Sequence, residues 1–117
     1  MGTKRVLKVQ GLIMEEISRL LLLKAKDPRL KDVGVTGVEL TPDLKKARVY
    51  YNLFNEDADR EATAKVLKRS SSFFRREVGR CAGLKYAPEI IFTFDQSQEY
   101  GRHMDEILRR LRESGKP

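Results

Sequence analysis

The sequence has 117 residues, enough for one domain with a single hydrophobic core. Its one Cys and one His exclude an internal disulfide framework and a metal cluster built from several such ligands, so we expect neither a catalytic site of that class nor a metal site. The 24 Lys and Arg outnumber the 17 Asp and Glu, and the net charge of +7 predicts an acidic partner, nucleic acid before an anionic membrane.

Apolar residues recur every three or four positions near the N-terminus, which predicts a first helix capped by Thr3 and running to about Lys26. Asp27-Pro28-Arg29 should end it, because proline lacks an amide hydrogen and disfavours helical backbone in the residue before it. The predicted core stripe of this helix consists of Val6, Val9, Ile13, Ile17, Leu20 and Leu21.

Two strands should follow as an antiparallel hairpin. Apolar alternation in the first strand changes parity, which predicts a β-bulge at Gly37. Thr41-Pro42-Asp43 has the composition of a turn. Tyr50 and Phe54, on the outer face of the second strand, can either stack on bases or pack in another core layer. The inner face of the second strand should carry Ala47, Val49, Tyr51 and Leu53.

A long helical pattern begins after an acidic stretch in which Asn55 or Asp57 can serve as the N-cap. The run Ser70-Ser71-Ser72 crosses its apolar line, and serine hydroxyls compete for backbone hydrogen bonds and can cap a new helix. We therefore predict an interhelical kink or break at these serines. Cys81, near the end of the same apolar line, is predicted to be a core thiol.

A third strand is predicted from Glu89 to Asp95, and a last helix is predicted to open at Gly101. The order of elements predicts an α+β domain with helices on one face of a three-stranded sheet. We expect one domain over residues 1–112 and a short flexible tail over residues 113–117. The stripe of the last helix should consist of Met104, Ile107, Leu108 and Leu111.

The surplus of positive charge lies in two segments. The net charge is +4 over residues 1–26 and +6 over residues 60–86, whereas it is −2 over residues 27–59 and −1 over residues 87–117. A face that only interacts with solvent usually mixes both signs, so the second basic segment favours contact with nucleic acid over a merely solvated face.

Basic residues at steps of three, four or seven should share one face of the kinked helices, with Arg75 at its edge. Lys85 follows in the same segment. The first helix and the hairpin add a second, peripheral group if the fold brings them together. The predicted face consists of Lys65, Lys68, Arg69, Arg76 and Arg80, and the peripheral group of Lys4, Arg5, Lys8, Lys45 and Lys46.

The first ten residues are basic and lack the apolar centre of a secretory signal, and no apolar run approaches the roughly 18 residues that span a bilayer. We therefore expect a cytoplasmic protein with no membrane partner. The string Gly34-Val35-Thr36-Gly37 fits the GXXG loop of KH domains, but that loop must join two helices and this string lies within a predicted strand. It is not interpreted as such a loop.

Five short stretches resemble, in the same order along the chain, the ribosome-binding factor A family of bacterial small-subunit assembly factors. The resemblance extends from about Arg5 to Leu111. The stretches are Lys26 to Leu30, Val38 to Leu44 followed by Ala47 to Tyr50, Phe73 to Gly79, Pro88 to Phe92, and Asp95 to Ser97 with Gly101.

The resemblance implies a type II KH-like fold in which an interhelical kink with an Ala-x-Gly signature replaces the GXXG loop; here Ser70-Ser71-Ser72 occupies that place. It also implies a monomer without enzymatic activity or cofactor. Such a protein binds the free 30S subunit through 16S rRNA, assists late maturation including 5′-end processing, and often supports growth in the cold. The basic face would meet the rRNA, and an assembly GTPase is a candidate second partner. The alternative is a protein-interaction module that docks on a ribosomal protein or GTPase, with incidental RNA contact.

Overall fold

The helices and strands follow the order expected from the sequence, which confirms the α+β class. Residues 107–113 form a further helix, α4. The preceding elements are α1 (Gly2–Leu23), β1 (Val33–Leu40), β2 (Lys46–Leu53), α2 (Arg60–Arg69), α3 (Ser71–Cys81) and β3 (Glu89–Phe94).

The structure is a computed structural model, which describes residues 2–24, 27–55, 57–97 and 107–113. Within these ranges, no helix is both long enough and apolar enough to cross a bilayer. The predicted start of the last helix at Gly101 and its stripe residue Met104 lie outside the described residues. Of the predicted tail, residue 113 is helical and belongs to α4.

The three strands form one sheet with β2 at its centre, antiparallel to β1 and parallel to β3. The pairing of β1 with β2 shifts between Val35 and Gly37, so the extra residue of the bulge is Thr36, one position before the predicted site. The Thr36 hydroxyl donates a hydrogen bond to the Asp95 carboxylate, which connects the bulge to the chain just after β3.

Helix α1 buries five of the six residues of its predicted stripe, with Ile13 and Ile17 fully inaccessible to solvent, and the sixth, Val6, is half-buried. Its ends differ from the prediction. The helix begins at Gly2, so Thr3 lies inside it and is not its N-cap. It ends at Leu23, three residues before Lys26, and the chain then turns.

Helix α3 is anchored to the sheet by Phe74, which is fully buried. The ring centre of Phe74 lies 5.1 Å from that of Phe92 on β3 and 5.6 Å from that of Phe73, in edge-to-face arrangements. Such aromatic pairs add to the stabilisation that burial provides. Thr63, a core residue that the apolar pattern does not reveal, is buried on α2, and its hydroxyl donates to the carbonyl oxygen of Arg29 at 3.1 Å.

Two predictions for the ends of the helical pair are wrong. Asp59 is the N-cap of α2, accepting a hydrogen bond from the amide of Ala62, whereas the Asn55 side chain accepts from the amide of Asp57 in the preceding turn. Cys81 is exposed and is not a core thiol. It is the last residue of α3, and its thiol lies beside the Glu16 carboxylate of α1, which raises the pKa of the thiol.

In α4, Leu108 and Leu111 are 48% and 61% exposed, so this part of the predicted stripe is not buried. Ile107 is half-buried. The apolar spacing therefore predicted a helix correctly but not a buried face for these two leucines.

The close approach of α3 to the chain before β3 predicts opposite effects of alanine at two helical glycines. A Cβ atom at Gly79 would lie 2.6 Å from the Ala87 Cβ atom and 3.2 Å from its Cα atom, whereas one at Gly11 of α1 would meet nothing within 4 Å. We expect Gly79→Ala to lower the free energy of unfolding by about 1–3 kcal/mol. The matched control Gly11→Ala should raise it by about 0.4–1 kcal/mol, because alanine loses less backbone entropy on folding. Urea titration measures both, and equal stability of the two variants would contradict this packing.

Candidate nucleic-acid interface

The predicted break between the two helices is confirmed and lies at Ser70, which separates α2 from α3 with φ −86° and ψ −2°. The Ser71 hydroxyl donates to the Lys68 carbonyl oxygen at 2.9 Å. In an uninterrupted helix that carbonyl would accept from the amide of residue 72, so the hydroxyl competes with helical hydrogen bonding. Ser70 occupies the N-cap position of α3, but its side chain makes no capping hydrogen bond, so the predicted serine cap is wrong at this residue.

Helical hydrogen bonds continue on both sides of the break, so only a short stretch of backbone is irregular. The amide of Ser70 donates to the Val66 carbonyl oxygen at 3.0 Å, and the amide of Phe74 donates to the Ser70 carbonyl oxygen at 3.1 Å. The chain therefore bends between the two helices without forming a loop. The basic side chains before and after the break are close in sequence, and they are exposed.

Four exposed basic residues surround the break, and Ser72 between them is also exposed. We name these four residues the kink surface. A groove of about 360 Å³ lies beside them, between α2 and β3, and is lined in part by Lys68, Ser71 and Ile91. Lys68 therefore belongs both to the kink surface and to the groove wall. The kink surface consists of Lys65, Lys68, Arg69 and Arg76.

Arg80, the fifth member of the predicted face, is paired with an acidic residue. Its Nη2 atom lies 2.6 Å from Oε2 of Glu77, three positions earlier on α3. The Glu77 side chain is 17% exposed and that of Arg80 is 77% exposed. The predicted basic face therefore has an acidic neighbour at Arg80, because residues three apart on a helix lie next to each other.

A second basic cluster is assembled from four separate segments. Arg5 of α1, Lys45 of the β1–β2 turn, Arg75 of α3 and Lys85 of the loop before β3 line one cleft of about 470 Å³. We name these four residues and the space that they line the basic cleft. The sequence predicted a peripheral basic group on the condition that the fold brings the first helix and the hairpin together. The cleft meets this condition for Arg5 and Lys45. Lys4, Lys8 and Lys46 are exposed but do not line it.

Hydrogen bonds hold two of the cleft residues in place. The Asp43 carboxylate accepts from the Thr41 hydroxyl at 2.6 Å and from the amide of Lys45 at 3.0 Å. Both hydrogen bonds lower the pKa of the Asp43 carboxyl below its ordinary value, and the bond from the Thr41 hydroxyl has the larger effect. On the opposite side, Nε of Arg75 donates to the carbonyl oxygen of Ala87 at 3.2 Å. The turn and the guanidinium are therefore fixed by contacts within the protein.

Tyr86 is a cleft residue that sequence reasoning missed. Its side chain is 76% exposed and lines the basic cleft beside Lys85. The sequence shows only an aromatic residue next to a lysine in a loop. A loop has no periodicity that would indicate which of its side chains are exposed. Of the aromatic residues that the sequence did single out, Phe54 is 74% exposed over Gly34, and Tyr50 is half-buried and hydrogen-bonds Arg48.

Comparisons with known proteins agree with this architecture. The family model of ribosome-binding factor A matches residues 5–108. The chain is 40% identical over 104 residues to ribosome-binding factor A of Geobacter sulfurreducens, covering 89% of this chain and 88% of that protein. The crystal structure of ribosome-binding factor A from Thermus thermophilus superposes with a TM-score of 0.59 at 22% identity, over 80% of this chain and 94% of that one.

A further comparison concerns a homology model of the Thermus thermophilus factor that was fitted into a cryo-EM map of its complex with the 30S subunit. It matches with a TM-score of 0.58 at 22% identity, over 77% of this chain and 90% of that chain. The structures in this comparison have a KH-like fold, which confirms the fold class predicted from the sequence.

The ion pair of Glu16 with Arg19 on α1 predicts a pH-dependent contribution to stability. Glu16 is buried on α1, and the hydrogen bond from Arg19 holds the pKa of its carboxyl below the ordinary value of 4.5. A lowered pKa in the folded state stabilises the fold above pH 4.5, and this contribution is lost as the pH falls through the folded-state pKa. Glu16→Gln should therefore be less stable than the parent at pH 7, with the difference shrinking below pH 4.5. Urea titrations across this range measure it, and a difference that did not change with pH would contradict the assignment.

Proposed function

The chain belongs to the ribosome-binding factor A family, and we propose that it binds the 30S ribosomal subunit by contacting 16S rRNA. The observation that carries this proposal is the presence of two exposed basic surfaces, the kink surface and the basic cleft, on a protein of net charge +7. Phosphate contacts by lysine and arginine supply most of the affinity of such interfaces. The Thermus thermophilus relative, for its part, has been placed in a 30S complex.

The proposed role is that of an assembly factor in the cytoplasm, which binds as a monomer during late 16S rRNA maturation and supports processing of its 5′ end without cleaving RNA itself. The chemistry of both surfaces supports a binding role. Their ammonium and guanidinium groups can donate charge-assisted hydrogen bonds to phosphate oxygens. Rigid helices carry the kink surface, which suits the recognition of a fixed RNA backbone.

Lys68 connects the kink surface to the groove between α2 and β3 and so suggests the path of a bound RNA strand. It is exposed on the last turn of α2 and also lines the groove between α2 and β3. An RNA phosphate bound to Lys68 would bring the adjoining nucleotide to the mouth of that groove, next to Ser71. We therefore propose that one RNA strand follows the kink from Lys65 towards Arg76, with its backbone against the exposed cations.

Reversing two charges of the kink surface tests this proposal. Lys68→Glu with Arg76→Glu should weaken binding to free 30S subunits strongly, because two phosphate contacts become repulsive. If about six phosphates are neutralised, log K for the parent should fall against log salt with a slope of roughly −4 to −5.4, and the double variant should have a slope smaller by about 1.4–1.8. Its free energy of unfolding should change by less than about 0.5 kcal/mol, since both residues are exposed.

Lys31→Glu is the matched control, because Lys31 is exposed in the loop between α1 and β1 and belongs to neither basic surface. It should retain the parent salt dependence apart from a small long-range effect. Co-sedimentation with 30S subunits at several salt concentrations measures all three proteins. Parent-like binding by the double variant would contradict the proposal, and a partner retained after RNA digestion would support docking on a ribosomal protein or GTPase instead.

A further inference from the structure

The basic cleft differs from the kink surface in how it is built. The kink surface is a set of exposed charges along two consecutive helices, whereas the cleft collects four cations from four segments that are distant in sequence. Like charges repel, and the lining carries four cations against the one carboxylate of Asp43, which accepts hydrogen bonds from the Thr41 hydroxyl and the Lys45 amide. An anion in the cleft would relieve that repulsion.

The cleft also has an apolar part that a simple anion site does not require. Leu44, Leu84 and Ala87 line it together with Tyr86, whose side chain is 76% exposed. Nζ of Lys85 lies over the Tyr86 ring, 5.5 Å from its centre, which places a positive charge against one face of this exposed aromatic side chain. An aromatic face next to cations suits a planar base attached to a phosphate, because bases stack on aromatic side chains and phosphates pair with cations.

The backbone around the cleft is held in conformations that most residues avoid. Leu44, with φ 63°, is the non-glycine residue with positive φ in the described part of the chain, and Gly83, with φ 64°, is the corresponding glycine. Leu44 lines the basic cleft next to Lys45, and Gly83 lies two residues before Lys85. Pro88, fully buried, fixes the end of the same loop. At Leu44, a non-glycine residue, this φ is a strained conformation of the kind found at functional sites, whereas Gly83, which follows the C-cap of α3, adopts it without strain.

We propose that the basic cleft binds one unstacked nucleotide of the RNA, with its base on Tyr86 and its phosphate between Arg5, Lys45 and Lys85. The volume of about 470 Å³ lies in the range of pockets for one small ligand and is too small for an RNA helix. This inference rests on the proposed function, since it names what one part of the RNA surface recognises. The kink surface would contact the RNA backbone, whereas the basic cleft would bind a base that is not stacked on its neighbours.

A pair of RNA hairpins tests the proposal, one with a single bulged 2-aminopurine and one fully paired. Binding of the bulged hairpin to the full chain should quench the 2-aminopurine fluorescence as the base stacks on Tyr86. Tyr86→Ala should weaken binding of the bulged hairpin by about 5- to 150-fold, the effect expected from the loss of one base–aromatic stack, and abolish the quenching. The fully paired hairpin should bind Tyr86→Ala as it binds the parent.

Tyr86→Phe is the matched control, because it keeps the ring and removes only the hydroxyl. It should bind the bulged hairpin within about twofold of the parent and retain the quenching. Circular dichroism of Tyr86→Ala should match that of the parent, since the side chain is exposed.

The outcomes separate this inference from the proposed function. If Tyr86→Ala binds both hairpins like the parent while Lys68→Glu with Arg76→Glu loses them, the nucleotide site is refuted and RNA binding stands. If inorganic phosphate or a polyglutamate peptide displaces the bulged hairpin as well as adenosine monophosphate does, the cleft is a general anion site and the inference is also refuted. If the parent binds neither hairpin nor 30S subunits, the proposed function fails first.

Discussion

The parallel pairing of β3 with β2 is the constraint on which the rest of the structure depends. Two parallel neighbours in a sheet cannot be joined by a tight turn, so the chain must leave one end of β2 and return to the other. The connection, residues 54–88, contains α2, the break and α3, and it also contains most of the residues that we assign to RNA. Phe74 anchors it against Phe92 on β3, and this contact decides which sides of the two helices remain exposed.

The break at Ser70 adapts this connection to the sheet. Leu67 before the break and Phe74 after it are both fully buried, and their spacing of seven positions places them on the same side of the connection. The Ser71 hydroxyl supports the bend by occupying the Lys68 carbonyl oxygen. The inner side of the connection is buried, and its outer side carries the exposed cations.

Periodic features were predictable from the sequence because a regular helix or strand converts spacing into a face. The buried stripe of α1, the alternation of β2 and the cations of the kink surface all follow from that rule. Features that depend on one local contact were not. The cap of α2 is Asp59 although Asn55 and Asp57 are equally able to cap, and the choice depends on where the chain enters the helix.

The basic cleft lay beyond sequence reasoning for a different reason. Arg5, Lys45 and Lys85 are separated by long stretches of chain, and only the packed fold shows that they line one space. Tyr86 sits in a loop where no period marks its exposed face. Conversely, the ion pair of Arg80 with Glu77 could have been predicted from the spacing of the two residues. Because Arg80 is paired, it does not belong to the free cations of the predicted face.

The central claim is that RNA covers the kink surface and the basic cleft together, and lysine footprinting on the 30S subunit tests it most directly. Amine acylation of the free protein and of the 30S-bound protein, read by mass spectrometry, compares lysines that are all exposed in the free chain. The account predicts strong protection of Lys45, Lys65, Lys68 and Lys85 and unchanged reactivity of Lys31. Protection of Lys31 with undiminished reactivity at the other four would contradict it.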